Sequence, residues 1–344
     1  MRSFDFGRYT LCICVALAML AGCGVLPLSV SKGQDDMQPL MGVPGAMAQT
    51  SRLAAHADRG TSWMLPEAKS EDLIYATGGC AGTCVLSYPA GKLVGSLETG
   101  GDLDGPSAGC VDGNGDVFLP DNESEVEYAH GGSNPIATLE LPGSSAGACS
   151  IDPTTGNLAV IANFSGVGIA VFANAKGTPT IYGAGILPYG CGYDNQGNLF
   201  VSGQNNQLPA LSELPEGASG FTLLTISRKV GSAGQVQWDG KHIAYEGITE
   251  GHILVSRLSI SGSAATIVST SHFKGIRRHA YFSWIYGDII IIPYATPGSQ
   301  GEATAIGIWK YPRGGKPLDT FKNITKPHPF FQGVTLSAPS GKSP

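Results

Sequence analysis

Charge is scarce in this chain of 344 residues: Asp, Glu, Lys and Arg together make up 14% of it, and the formal net charge is −6. A globular protein usually carries about 25%. Such a balance offers no basic footprint for a phosphate backbone, so a nucleic-acid partner is excluded. Good helix formers are also displaced, because 49 glycines and 22 prolines break any long helical pattern. A helical bundle or coiled coil is therefore excluded. Disorder driven by charge is excluded as well, since 42% of the residues are hydrophobic, with many β-branched and aromatic side chains among them. There is no P-loop, and no His has an i,i+4 His partner or a zinc-type spacing.

The N-terminal apolar run, Leu11–Leu20, is too short to cross a bilayer as a helix, which takes about 20 residues. With Arg2 and Arg8 before it, the run suits the hydrophobic region of an export signal. Leu20-Ala21-Gly22-Cys23 then resembles the lipobox of bacterial lipoproteins. That resemblance implies cleavage after residue 22, a diacylglycerol thioether and an acylated amine on Cys23, and a membrane partner reached through lipid alone. The expected location is the bacterial cell envelope, outside the cytoplasm. Gly24, standing where Asp would mark inner-membrane retention, favours the outer membrane. Residues 23–66 show no apolar period and read as a flexible tether.

From residue 67 to 344 the chain repeats itself. Short β-type runs follow Asp, Gly or Asn turns, and they begin at Leu73, Val117, Leu158, Leu199, Ile243 and Ile289. Successive starts are thus about 44 residues apart. Each run is followed by two more alternating strands, as in VLSYPAG (85–91) with KLVGSLE, and preceded by a strand ending in a turn, as in GCGYDNQG (190–197). Asp112, Asp152, Asp194 and Asp239 stand before Gly-bearing turns and read as turn-formers, not as a ring of metal ligands. Four antiparallel strands at this period describe a propeller blade, so the expected fold is an all-β, six-bladed β-propeller. One spare strand, GVTLSA (333–338), is expected to complete the first blade and close the ring, unless SWMLP (62–66) supplies that strand.

The string G-x-x-x-D-x-x-G-N-L-x-V resembles the NHL-repeat and gluconolactonase-like group of six-bladed propellers. SYPAGKLVG, DPTTGNLAV and VQWDGKH are similar to strings in uncharacterised bacterial lipoproteins. The Asn-Arg pair of ordinary NHL repeats and the Trp-Asp ending of WD40 repeats are missing. The gluconolactonase resemblance implies, as an alternative, a lactonase, hydrolase or lyase with Ca²⁺ or another divalent cation in the central channel. No motif selects a catalytic residue, and no cofactor is expected otherwise.

The favoured reading is a monomeric binding or scaffold protein that meets a polar ligand or an envelope protein on its long-loop face. The loops of that face are placed at 78–83, 120–125, 163–168, 203–209, 246–252 and 295–304, and they supply Asp121, Asn163, Asn205 and Glu246. Acidic residues (Asp102, Asp104, Asp121, Glu123 and Glu125) are expected across the ring from basic ones (Arg228, Lys229, Lys274, Arg277 and Arg278). Cys80 and Cys84 flank one hairpin loop and are assigned a local disulfide. Cys149 and Cys191, three residues before the Asp of consecutive units, are read as buried thiols or as a bridge between converging strands. Cys110, two before its Asp, is expected on the opposite face.

Overall fold

The structure, a computed structural model, describes residues 62–80, 82–99, 107–141, 143–162, 168–249, 252–276, 282–299, 302–325 and 330–340. The chain divides into two units, Met1–Gln49 and Thr50–Pro344, and all described residues belong to the second. The signal segment 1–22, Cys23 and nearly all of the tether lie outside them.

Apart from two short 3-10 turns, Pro66–Ser70 and Ala173–Ala175, the regular elements among the described residues are strands. The first four are β1 (Trp63–Met64), β2 (Asp72–Gly79), β3 (Gly82–Tyr88) and β4 (Leu93–Leu97). Two antiparallel meanders follow: β5 (Cys110–Val111), β6 (Val117–Asp121), β7 (Ser124–Tyr128) and β8 (Pro135–Glu140), then β9 (Ala146–Ile151), β10 (Leu158–Ala162), β11 (Gly168–Phe172) and β12 (Thr180–Gly183). Next come β13 (Leu187–Tyr193), β14 (Leu199–Asn205), β15 (Leu208–Leu214) and β16 (Thr222–Ile226), followed by β17 (Ser232–Trp238), β18 (Ile243–Thr249), β19 (His252–Ser261) and β20 (Ala264–His272). The last are β21 (Trp284–Tyr286), β22 (Ile289–Ala295), β23 (Ala303–Lys310), β24 (Asp319–Lys322) and β25 (Gly333–Ser337).

Each repeated apolar run is the second strand of its meander because its alternate residues serve two cores. In β2, Leu73 and Tyr75 enter one cluster with Val117, Leu119 and Val126. Ile74 and Ala76 enter another with Ile289, Ile291 and Ile306. A strand covered on both faces reads as a continuous apolar run, and all of β22, IIIIPYA, is buried. Further layers join β6 to β10 through Phe118 and Leu158, β10 to β14 through Ile161 and Val201, β14 to β18 through Phe200 and Tyr245, and β18 to β22 through Ala244 and Ile290. The packing order therefore returns to its start.

The C-terminal strand joins the first sheet. It pairs antiparallel with β2 from Leu73↔Ser337 to Thr77↔Gly333. Trp63 and Met64 do not supply that strand. They lie at the opposite edge, paired with Ser96 and Gly95 of β4, so regular structure begins inside the stretch assigned to the tether.

Hydrogen bonding yields five sheets, which differs from the six separate ones expected. β13–β16 and β17–β20 share one eight-stranded sheet, because β16 and β20 run parallel and pair at Thr225↔Ala264 and Ile226↔Ala265. The cause is local. The long β19–β20 hairpin brings its tip to the open edge of β16, whose unpaired backbone groups recruit it. The Thr225 N–H donates to Ser263 O at 2.8 Å and the Ser227 N–H to Ala265 O at 2.9 Å. The whole is an all-β, propeller-like arrangement.

Candidate functional site

The strands that precede the repeated Asp turns lie innermost. β25 touches β5, β5 touches β9, β9 touches β13, β13 touches β17, and β21 touches β25. A side chain bridges β17 to β21: the Gln237 amide donates to Ile285 O and accepts the Ile285 N–H, both at 2.8 Å. Close approach demands small residues on these strands. A Cβ at Gly192 would lie 2.4 Å from Val236 O on the neighbouring strand.

Every inner strand that ends in an Asp turn is stopped in the same way. The Asp112 carboxylate accepts the Asn114 and Asp116 N–H groups, both at 2.9 Å. Asp194 does likewise for Gln196 and Asn198, at 2.8 and 2.9 Å. Asp152 accepts the Thr154 N–H and the hydroxyls of Thr154 and Thr155. Asp239 accepts the Lys241 and His242 N–H groups and also takes Arg257 Nε at 2.5 Å and the Tyr311 hydroxyl at 2.7 Å. Burial alone would raise the pKa of Asp239; these donors hold it below the ordinary carboxylate value. The turn-former reading of the repeated Asp residues accounts for all four.

Where these inner strands end, they enclose a cavity of about 760 Å³. Trp238, Trp284 and Tyr286 line it, with Val111, Ile151 and Leu336 between them. The three aromatics are half-buried. Asp112, Asp152 and Asp239 also contribute to the lining, which among the described residues contains no Lys, Arg or His. The site has a trace in the sequence. The residue just before each turn is Val111, Ile151, Tyr193, Trp238 or Tyr286, one equivalent position filled by bulky side chains. Convergence of four of those positions, all but Tyr193, on one cavity appears only after the strands are placed.

The residues proposed for the long-loop face separate. Asn163, Arg277 and Arg278 lie outside the described residues. Asp121 and Asn205 end β6 and β14, in different sheets. The loops expected at 120–125, 203–209 and 246–252 are much shorter than read, because strand pairing continues into them. β6 and β7 close at Asp121↔Ser124, β14 and β15 at Asn205↔Leu208, and β18 and β19 at Thr249↔His252. Hairpin tightness explains the left-handed backbone of Asn206 (φ 49°) and Gln207 (φ 65°).

Glu246 is consequently mid-strand and buried. Its Oε2 accepts the Ser283 N–H at 3.1 Å and the Ser283 hydroxyl at 2.5 Å. Burial outweighs those bonds and pushes its pKa up to about 7. Glu125, expected in solvent on the acidic side of the rim, is fully buried with neither oxygen hydrogen-bonded. Burial first, then the charge of Asp121, raises its pKa well above the ordinary value. Among the described residues no three His, Cys, Asp or Glu side chains gather as metal ligands. Two strings with Gly-x-Ser-x-Gly spacing, GPSAG (105–109) and GSSAG (143–147), precede inner strands and not the helix that a nucleophile elbow requires. The Ser107 hydroxyl is buried and donates to Gln332 Oε1 at 2.9 Å.

Cys80 and Cys84 are joined by a disulfide, and so are Cys110 and Cys149, with Cα atoms 5.5 Å apart. The second bond corrects the reading of Cys149 as a thiol or as a partner of Cys191. Inner strands of neighbouring sheets face each other, so a bridge needs one side chain pointing forward and the other back. The opposite parity of Cys110 and Cys149 supplies that. Cys191 is a free, buried thiol, and burial raises its pKa.

The sequence matches no protein-family model and no curated protein. Solved structures do resemble it. A chain in the crystal structure of a nidogen/laminin complex superimposes with a TM-score of 0.60 at 13% identity, over 78% of this chain and 98% of that one. A protein of unknown function from Bacteroides caccae gives a TM-score of 0.53 at 12% identity, over 78% and 99%. At these identities the likeness shows the fold alone, a β-propeller.

Proposed function

We propose that this chain is a binding protein whose ligand sits in the cavity at the inner-strand ends, on the face of the Asp turns. The observation that carries the proposal is the convergence of Trp238, Trp284 and Tyr286 on one space of about 760 Å³. A concave site of this size with aromatic walls is a common form of small-molecule pocket. A β-propeller is consistent with binding or scaffolding, and the tight hairpins leave the opposite face with less loop than the sequence suggested.

In this reading the propeller has six blades. The eight-stranded sheet counts as two blades joined at their outer strands, and β25 closes the ring. The chain carries a lipid on Cys23 and works at a membrane, outside the cytoplasm. Replacing Cys23 by Ala is expected to move the full chain from the membrane fraction to the soluble one; retention in the membrane would overturn the anchor.

The cavity is tested by thermal shift of the full chain against a panel of amines, sugars and carboxylates. Members of at least one class are expected to raise the melting temperature of the parent protein and not that of Trp284→Ala. No shift from any class, or equal shifts in the variant, would refute the site.

A further inference from the structure

We propose that the group recognised in this cavity is an organic cation of the quaternary ammonium class; the inference rests on the cavity being a ligand site. Two properties of the lining point to charge. Its lining residues include Asp112, Asp152 and Asp239, the last two with buried carboxylates behind the wall, and among the described residues no Lys, Arg or His. Of the three, Asp239 alone has a cationic partner, Arg257; Asp112 and Asp152 have none among the described residues. The negative field extends beyond the lining. Burial and then the charge of Asp112 raise the pKa of Asp116, against His130, and burial followed by the charges of Asp116 and Asp112 raises that of Glu127, against Lys176.

The aromatic groups supply the second element. Trp, then Tyr, are the side chains that best attract a cation through the ring quadrupole, and the attraction grows when water is excluded. Trp238, Trp284 and Tyr286 come from two neighbouring inner strands, β17 and β21, and stand half-buried beside the acidic turns.

Hydrogen-bond saturation then selects among cations. A primary ammonium has three N–H donors and loses strongly bound water on entry, so it needs directed acceptors. Here the carboxylates are already engaged. Asp112 accepts from Asn114 N, Asn114 Nδ2 and Asp116 N. Asp152 accepts from Thr154 N and from two threonine hydroxyls. Asp239 accepts from two N–H groups, Arg257 and Tyr311. They contribute charge but little free acceptor capacity. A methylated ammonium offers no donor, is weakly hydrated, and meets aromatic faces with its methyl groups. The carboxylate field and the aromatic wall together suit that chemistry.

The test is calorimetric titration of the full chain with choline, with its uncharged isostere 3,3-dimethylbutan-1-ol, and with ethanolamine. Choline is expected to bind at least tenfold more tightly than either. Trp284→Ala should weaken choline at least tenfold. Trp284→Phe keeps a packed ring with a weaker quadrupole and should weaken it less; this variant guards against loss of folding in the alanine protein. Equal binding of the isostere through Trp284 would overturn the cation inference and leave the cavity reading standing. Tighter binding of ethanolamine would show that free acceptors, not methyl contacts, select the ligand, and would also overturn it. If neither choline nor the isostere binds, the inference fails, and the panel of amines, sugars and carboxylates decides the cavity reading separately.

Discussion

The Tyr311 hydroxyl donates to Asp239 Oδ2 at 2.7 Å, tying the turn after β23 to the turn after β17 across 72 residues of sequence. The same oxygen takes Arg257 Nε, and the Asp239 side chain is wholly shielded from solvent. One carboxylate thus fixes a turn within its own meander and the seam to the next.

Removing the hydroxyl with Tyr311→Phe is expected to cost about 1.5–3 kcal/mol of unfolding free energy, the range for a hydrogen bond to a charged group. Asp239→Ala should cost more, about 3–5 kcal/mol, because Arg257 is left without its anion. Urea denaturation measures both, and a double-mutant cycle should show strong coupling. Additive effects would mean that the two residues act independently.

Stability should peak on the acid side of neutrality. The folded pKa of Glu246, about 7, lies above its ordinary value of 4.5. Between those two values the folded chain binds more protons than the unfolded one, so stability falls as pH rises through this window. Glu125 acts in the same direction. Asp239 acts oppositely: its lowered pKa adds stability that is present above the ordinary carboxylate range and lost on further acidification. Melting temperature against pH should therefore decline from pH 5 to 8 in the parent protein. Glu246→Gln should flatten that decline and be more stable at pH 8, by on the order of 2–3 kcal/mol. A parallel decline in the variant would contradict the assignment.

The Cys110–Cys149 bond closes a loop with a sequence separation of 39. Replacing both residues by Ala should cost about 2–4 kcal/mol, by release of chain entropy in the unfolded state. Peptide mapping should recover the Cys110–Cys149 crosslink, and Cys191 should resist alkylation until the protein is unfolded. Ready labelling of Cys191 in the native protein would contradict its burial.

Gly192→Ala places a methyl group 2.4 Å from Val236 O, a backbone atom with no freedom to turn aside. The strands must part, at a cost of about 1–3 kcal/mol. Thermal denaturation should show a clear drop, whereas Gly217→Ala, strained at φ +71° but with open space around it, reports the backbone effect alone.

Much of the architecture was legible because period and turn chemistry are local. Leu73, Val117, Leu158, Leu199, Ile243 and Ile289 each fall at or beside the start of a strand, since an Asp or Asn turn followed by apolar residues needs no distant partner to be recognised. GVTLSA (333–338) was legible by subtraction, as the strand left without a meander. Seams between sheets were not legible. The Thr225↔Ala264 pairing depends on how far one hairpin reaches past its own sheet. Cys110 with Cys149 depends on which faces oppose each other in space. Glu125 looked like a solvent charge because a two-residue turn and a loop have similar polar sequences, and only strand register sends it inward. Trp238 and Trp284 belonged to separate copies of the repeat, and nothing local indicates that their strand ends meet.

Because Leu73–Thr77 has Gly333–Ser337 as its ladder partner, the earliest meander to leave the ribosome is also the last to be finished. Its inner edge must wait, with amides and carbonyls unanswered, until the remaining sheets have been synthesised. Collapse of the whole ring in one event suits such a chain better than piecewise folding. A translation product halted before residue 333 would expose this edge, and the protein most able to occupy it is another nascent copy offering the same strand.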